Sequence, residues 1–211
     1  MPCLRASEPR GPFSKRLHPR AQGGDPSRLR GAFEPARAQA HVRRVTDDGY
    51  RLAQKKVATL KLQETLVETP GEKVLELDEL WSFVYRKSDK VWVWLALCRE
   101  TRQVVAFVMG DRSRATCERL WQEIPESYKE ATCYSDLWEA YQQVIPEERH
   151  EATAKEEGET CHVERWINTL RQRLSRFVRK TLSFSKSRQM HHCCLKLFIC
   201  RYNLERRSII L

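Results

Sequence analysis

Three acids occupy positions where an acid calls for a reason. Asp78 lies in Leu75-Glu76-Leu77-Asp78-Glu79-Leu80-Trp81, a strand-like run whose alternation puts Glu76, Asp78 and Leu80 on one face and Leu75, Leu77 and Glu79 on the other. Asp136 directly follows the short strand-like run Cys133-Tyr134-Ser135, at a strand end from which a side chain can enter a cleft. Glu164 stands near the start of a helical segment, in His162-Val163-Glu164-Arg165-Trp166. Carboxylates converging from such elements suit phosphodiester chemistry, where two divalent ions about 3.5–4 Å apart activate the attacking oxygen and stabilise the leaving one. An all-carboxylate set that leaves several waters in place suits Mg2+, with Mn2+ able to substitute. Taken singly the acids read differently: any three can be picked from 28 acidic residues, and Asp136 alone reads first as the N-cap of the helix after it.

The residues beyond Glu164 suggest what such a site would hold. Val163, Trp166, Ile167, Leu170, Leu174, Phe177 and Val178 recur at three- and four-residue intervals, predicting one long helix from about Thr160 with a single apolar stripe. Glu164, Asn168 and Arg171 fall on an adjoining face, and Arg165, Arg173, Arg176, Arg179 and Lys180 extend its positive charge. No acid lies between Glu164 and Lys180, which favours phosphate contact over a merely solvated face. Arg165, Asn168, Arg171, Arg173, Lys180 and Lys186 are therefore the candidate DNA contacts. His162 is a candidate supporting or DNA-facing group beside Glu164. Trp81 and Trp138 read first as core, with stacking on an unpaired base as the alternative. In His191-His192-Cys193-Cys194 with Cys200, neighbouring side chains on a helix point about 100° apart, so at most two of the four adjacent ones share an ion. Paired zinc spacings are absent, and no zinc is expected.

The elements that must position these residues follow from periodicity. Lys73–Tyr85, Val91–Cys98 and Gln103–Met109 read as three strands of an antiparallel meander, with polar turns at Arg86–Lys90 and Arg99–Arg102. A helix at Arg114–Glu123, a strand at Ala131–Ser135, a helix at Leu137–Val144, a strand near His150–Ala154 and the long helix follow, and Gln189–Arg207 predicts a last helix. The order specifies an α/β fold, a mixed sheet with flanking helices, and is the order of a ribonuclease-H-like fold. Ahead of it, Arg51–Val67 predicts a short helix ended by Thr69-Pro70-Gly71. Residues 1–45 hold six of the nine prolines and four of the eight glycines, so they offer little to bury and are expected to be disordered. The organisation expected is thus an extension over 1–45, a helical lead-in over 46–70 and a catalytic domain over 71–211.

Bulk properties narrow the partners. A chain of 211 residues accommodates one domain with a small appendage. Its formal charge of +10 favours a polyanion such as nucleic acid. The longest apolar runs, Val91–Cys98 and Val104–Met109, are far too short to span a bilayer, and no membrane partner is expected. The N-terminus lacks a secretory apolar stretch, and the eight cysteines show neither a CxxC pair nor a disulfide-like spacing. A cytoplasmic protein with reduced thiols is expected.

From about Val74 to Asn203 the chain resembles the insertion-sequence-one family of DDE transposases, in its catalytic reading frame. The resemblance is carried by Leu77-Asp78-Glu79-Leu80-Trp81-Ser82-Phe83-Val84, by Tyr134-Ser135-Asp136-Leu137-Trp138-Glu139-Ala140-Tyr141, and by His162-Val163-Glu164-Arg165. Thr169-Leu170-Arg171-Gln172-Arg173-Leu174 and Lys180-Thr181-Leu182-Ser183-Phe184-Ser185-Lys186 extend it. It implies a metal-dependent enzyme of DNA transposition, with Asp78 and Asp136 as the catalytic aspartates and Glu164 as the glutamate. It also implies element-end and target DNA as partners, self-association on DNA, and an upstream DNA-binding protein or fused segment. Full-length members are expected to carry a cysteine zinc finger and a helix-turn-helix, yet only Cys3 precedes Cys98 here. Cys161 and Ile167 stand where asparagines are expected. Two other readings stay open at this point, a structure-selective nuclease on the same fold and a DNA-binding relic or inhibitory subunit without activity.

Overall fold

The computed structural model describes residues 48–211. The expectations for residues 1–45 and for Cys3 lie outside the described residues.

A long hairpin forms the centre of the sheet. Strand β1 (Val74–Val84) pairs antiparallel with β2 (Arg86–Cys98) from Leu75↔Cys98 to Phe83↔Lys90, and β2 pairs antiparallel with β3 (Val104–Gly110). On its other side β1 pairs in parallel with β4 (Thr132–Ser135), which pairs in parallel with β5 (His150–Ala152). The strand order is β3-β2-β1-β4-β5. The polar stretch Arg86–Lys90, expected as a turn, belongs to β2 instead. The chain reverses at Tyr85, whose φ of 67° is left-handed, and the register slips between Phe83 and Val84 to absorb the extra residues.

Alternation along β1 divides the core as its sequence requires. Leu75 and Leu77 pack with Trp94, Ala96, Leu120 and Tyr141 on the face covered by α2 (Arg114–Glu123) and α3 (Glu139–Val144). Leu80 packs with Val93, Leu95, Val163, Leu170 and Leu195 on the face covered by α4 (Cys161–Arg173) and α5 (Arg188–Ile210). Ser113 and Ser187 start α2 and α5, their hydroxyls accepting from the amides of Thr116 and Met190.

Two helices are shorter than their periodicity predicts. The lead-in helix α1 covers residues 48–59 and does not reach Val67. Leu66 is extended, the amide of Val67 donates to Gln103 Oε1 at 2.8 Å, and the carbonyl of Thr65 accepts from Gln103 Nε2 at 3.0 Å. Gln103 is wholly buried and needs those partners, which a continued helix would keep for its own ladder. Likewise α4 stops at Arg173: Leu174 is extended, Ser175–Phe177 forms one 3-10 turn, and Arg176, Arg179 and Lys180 do not continue the helix. Phe177 still enters the core, by stacking on His191 with ring centres 4.2 Å apart. The chain then crosses to the end of β1, where the Tyr85 amide donates to the Ser185 carbonyl at 2.7 Å.

The histidine and cysteine cluster is part of this packing. His191 is enclosed, with Nε2 3.0 Å from Ser82 Oγ and Nδ1 2.7 Å from Ser185 Oγ, and burial pushes its pKa down to about 4. It is a neutral imidazole tying α5 to β1. Cys193 and Cys200 are buried, and the seven cysteines among the described residues are free thiols. No helix among the described residues is long and apolar enough to cross a membrane.

Candidate active site

The parallel pairing of β1 and β4 brings the two aspartates to the same end of the sheet. Glu76 is the register partner of Tyr134, so Asp78 and Asp136 each lie two residues beyond that pair. Glu164 approaches from the first turn of α4, which is packed on the same face of β1. Asp78, Asp136 and Glu164 line one cleft of about 390 Å3, together with Thr153, Asn168, Arg171 and Arg179. Separations of 58 and 28 residues along the chain are closed by the fold.

The electrostatics of the cleft are unbalanced. Asp78 Oδ1 accepts from the Glu79 amide at 2.7 Å, yet the carboxyl is pushed from an ordinary 3.8 up to about 7. Burial is the main cause, and the charges of Glu79, Asp136 and Glu164 add to it. Asp136 is half exposed; its Oδ1 accepts from the Trp138 amide at 3.1 Å and Oδ2 lies 4.0 Å from Arg112, but α3 begins only at Glu139 with Trp138 at its N-cap and no side-chain cap bond, so Asp136 is not the cap that its sequence position suggests. Among the described residues no three His, Cys, Asp or Glu side chains are arranged to hold a single metal ion.

Several neighbours were not singled out by sequence. Glu79, beside Asp78, also lines the cleft; its side chain is buried, with Oε1 accepting from Arg112 Nε at 2.6 Å and Oε2 from the Tyr141 hydroxyl at 2.9 Å. Burial and then the charge of Asp136 raise its pKa, against the pull of Arg112. Arg112 lies over the Trp138 ring at 4.1 Å and the Trp92 ring at 5.0 Å. Trp138 thus serves packing, with its Nε1 buried and unpartnered, and Trp81 lies 5.7 Å from Phe83. The apolar strand that made Asp78 conspicuous could equally have marked Glu79, whereas Arg112 sits in a polar loop and carries no such signal.

The basic candidates divide. Asn168 and Arg171 line the cleft, joined by Arg179 from the segment after α4. The Arg171 Nε is buried without a hydrogen-bond partner, and burial followed by the neighbouring Arg179 charge lowers its pKa. Arg165, Lys180 and Lys186 are exposed and do not line the cleft, while Arg173 is paired with Glu205 at 3.5 Å. His162 does not face the three acids; its Nδ1 lies 2.5 Å from Glu76 Oε1.

Known proteins share this stretch. The sequence model of the IS1 transposase family matches residues 73–204, from the start of β1 into α5. The chain is 36% identical over 126 residues to the insertion element iso-IS1n protein InsB of Shigella dysenteriae, covering 60% of this chain and 93% of that protein. It is 37% identical over 116 residues to the insertion element IS1 protein InsB of Shigella flexneri, covering 55% and 86%. To the insertion element IS1 4 protein InsB of Escherichia coli strain K12 it is 35% identical over 125 residues, covering 58% and 72%. With the matched stretch spanning more than half of its length, the chain belongs to the IS1 transposase family.

Proposed function

We propose that this transposase acts by metal-dependent strand cleavage and strand transfer on a ribonuclease-H-like fold, with Asp78, Asp136 and Glu164 as its ligand set. The observation that carries the reading is that these acids, remote in sequence, line one cleft with two arginines beside them. The order β3-β2-β1-β4-β5, antiparallel on one side of β1 and parallel on the other, supports the fold. The donor set fits divalent ions by its chemistry: the Asp78 carboxyl, whose pKa burial and then its acidic neighbours push up to about 7, has no cation within ion-pair distance among the described residues. A bridged ion pair needs no single ion to take all three acids. Bound there, Mg2+ or Mn2+ would activate the attacking oxygen and neutralise the leaving one.

The residues themselves orient DNA. Arg171 and Arg179 place positive charge on the cleft wall, where a backbone phosphate can be received beside the acids. Thr153, whose amide and hydroxyl are both held by the Ser135 carbonyl at 2.9 and 3.3 Å, closes the β5 side.

Duplexes carrying the ends of the element that encodes this chain, incubated with Mg2+ or Mn2+ and with excess chelator, test the reading. Nicking that leaves a 3′-hydroxyl, appears only with the ion and depends on the end sequence is expected. Cleavage indifferent to end sequence would favour a structure-selective nuclease, and binding without cleavage in any ion would favour an inactive relic. Arg171→Ala is expected to weaken binding to all duplexes and to reduce the slope of log affinity against log salt by about one. An unchanged slope would remove Arg171 from the DNA contacts.

A further inference from the structure

A polar or aromatic group lies two residues behind each of the three acids. On β1 Asp78 follows Glu76, on β4 Asp136 follows Tyr134, the register partner of Glu76, and on α4 Glu164 follows His162. Glu76 is fully enclosed, with a relative exposure of 0%. Its Oε2 accepts from the amides of His162 at 2.9 Å and Val163 at 3.0 Å, two first-turn donors that α4 cannot satisfy internally. Its Oε1 accepts from Arg99 Nε at 2.8 Å and lies 2.5 Å from His162 Nδ1. Arg99 comes from the β2–β3 turn and continues to the Glu159 carboxylate at 2.9 Å, just before α4. Its guanidinium also covers the Tyr134 ring at 4.6 Å. The pair therefore ties β1, β4 and α4 together directly behind the acids.

We propose that Glu76, together with Arg99, is a positioning residue for the carboxylate set, fixing how α4 stands against the two aspartate-bearing strands. The inference rests on the metal-dependent reading above. Two residues of strand span about 6.6 Å, so the anchor at His162 and Val163 stands close behind Asp78 and Glu164 and sets the approach of the helix start to β1. Glu76 contributes no ligand. Exchanging one of its oxygens for an amide nitrogen sets a donor against either Arg99 or the helix amides, so one side loses its acceptor and the ligand set loses its preorganisation.

Direct Mn2+ titration of the full chain, following free ion by electron paramagnetic resonance, reads this without relying on activity. Glu76→Gln is expected to weaken Mn2+ binding about tenfold, within the range found when outer partners of ligands are removed. Leu170→Ala, a core truncation about two turns further along α4, is expected to lower the melting temperature yet keep the affinity within about twofold. If Glu76→Gln does not fold, Arg99→Lys, which keeps the charge but not the second contact, is expected to show about a threefold weakening. Parent-like affinity in the folded Glu76 or Arg99 variant, or equal weakening in Leu170→Ala, overturns the positioning role. If Glu164→Gln binds Mn2+ as the parent does, the metal reading itself has failed, which is a separate outcome.

Discussion

Glu164→Gln is expected to lower metal-dependent strand cleavage by roughly 10³-fold or more, about 4 kcal/mol of barrier, while DNA affinity stays within about twofold. The amide preserves the shape of the side chain at the start of α4, whose packing depends on Val163, Trp166 and Leu170 rather than on Glu164. What it removes is one negative charge from the ligand set. On the proposed reading DNA affinity rests on the arginines that line the same cleft, so the two properties should separate. Single-turnover cleavage and equilibrium binding on one labelled duplex measure both. Cleavage near the parent rate would sink the assignment of Glu164, and a parallel loss of binding would show that the variant had disturbed the whole cleft.

Asp78→Asn is expected to abolish cleavage and, unusually for a catalytic substitution, to stabilise the metal-free protein at pH 8. The fold holds the Asp78 proton up to about 7, against an ordinary 3.8. Because the folded value is the higher one, this group's contribution to stability is fully present below about pH 4 and is lost as pH rises through 7. The difference corresponds to about 4 kcal/mol as an upper limit, and relief on the order of 2 kcal/mol is expected from the neutral amide. Thermal melts at pH 8 and pH 5 in chelator should show the variant melting higher at pH 8, with the gap narrowing at pH 5. Added Mg2+ should raise the parent and leave the variant unmoved, because only a protein that binds the ion gains from it. A variant that melts below the parent at pH 8 would mean that Asp78 is held by contacts favouring its charge.

Much of this was legible in the chain itself. Alternation about Asp78 fixed which face of β1 each residue takes, because a strand's period of two leaves no freedom once Leu75, Leu77 and Leu80 must be buried. The bounds of α2 were legible in its helical character and in Pro125, a local stop, and the family was legible in the runs around the three acids. Helix lengths were less legible. Periodicity through Phe177 matched one helix, but Phe177 reaches the core after a break that brings Ser185 to the end of β1, and no local preference encodes that crossing.

Only the tertiary structure decided the cleft. The sequence supplied the three acids, but their meeting depends on β4 pairing in parallel with β1 and on α4 docking over it, contacts made across many tens of residues. It also decided the roles of Glu76, Glu79 and Asp78, three acids within four residues of one strand. Glu76 meets the N-terminus of α4 and Arg99, Glu79 meets Arg112 and Tyr141, and Asp78 meets no cation within ion-pair distance among the described residues. The charge of a carboxylate is set by the sequence; whether that charge is neutralised, and so what it remains free to bind, depends on partners that only folding brings within a few ångströms.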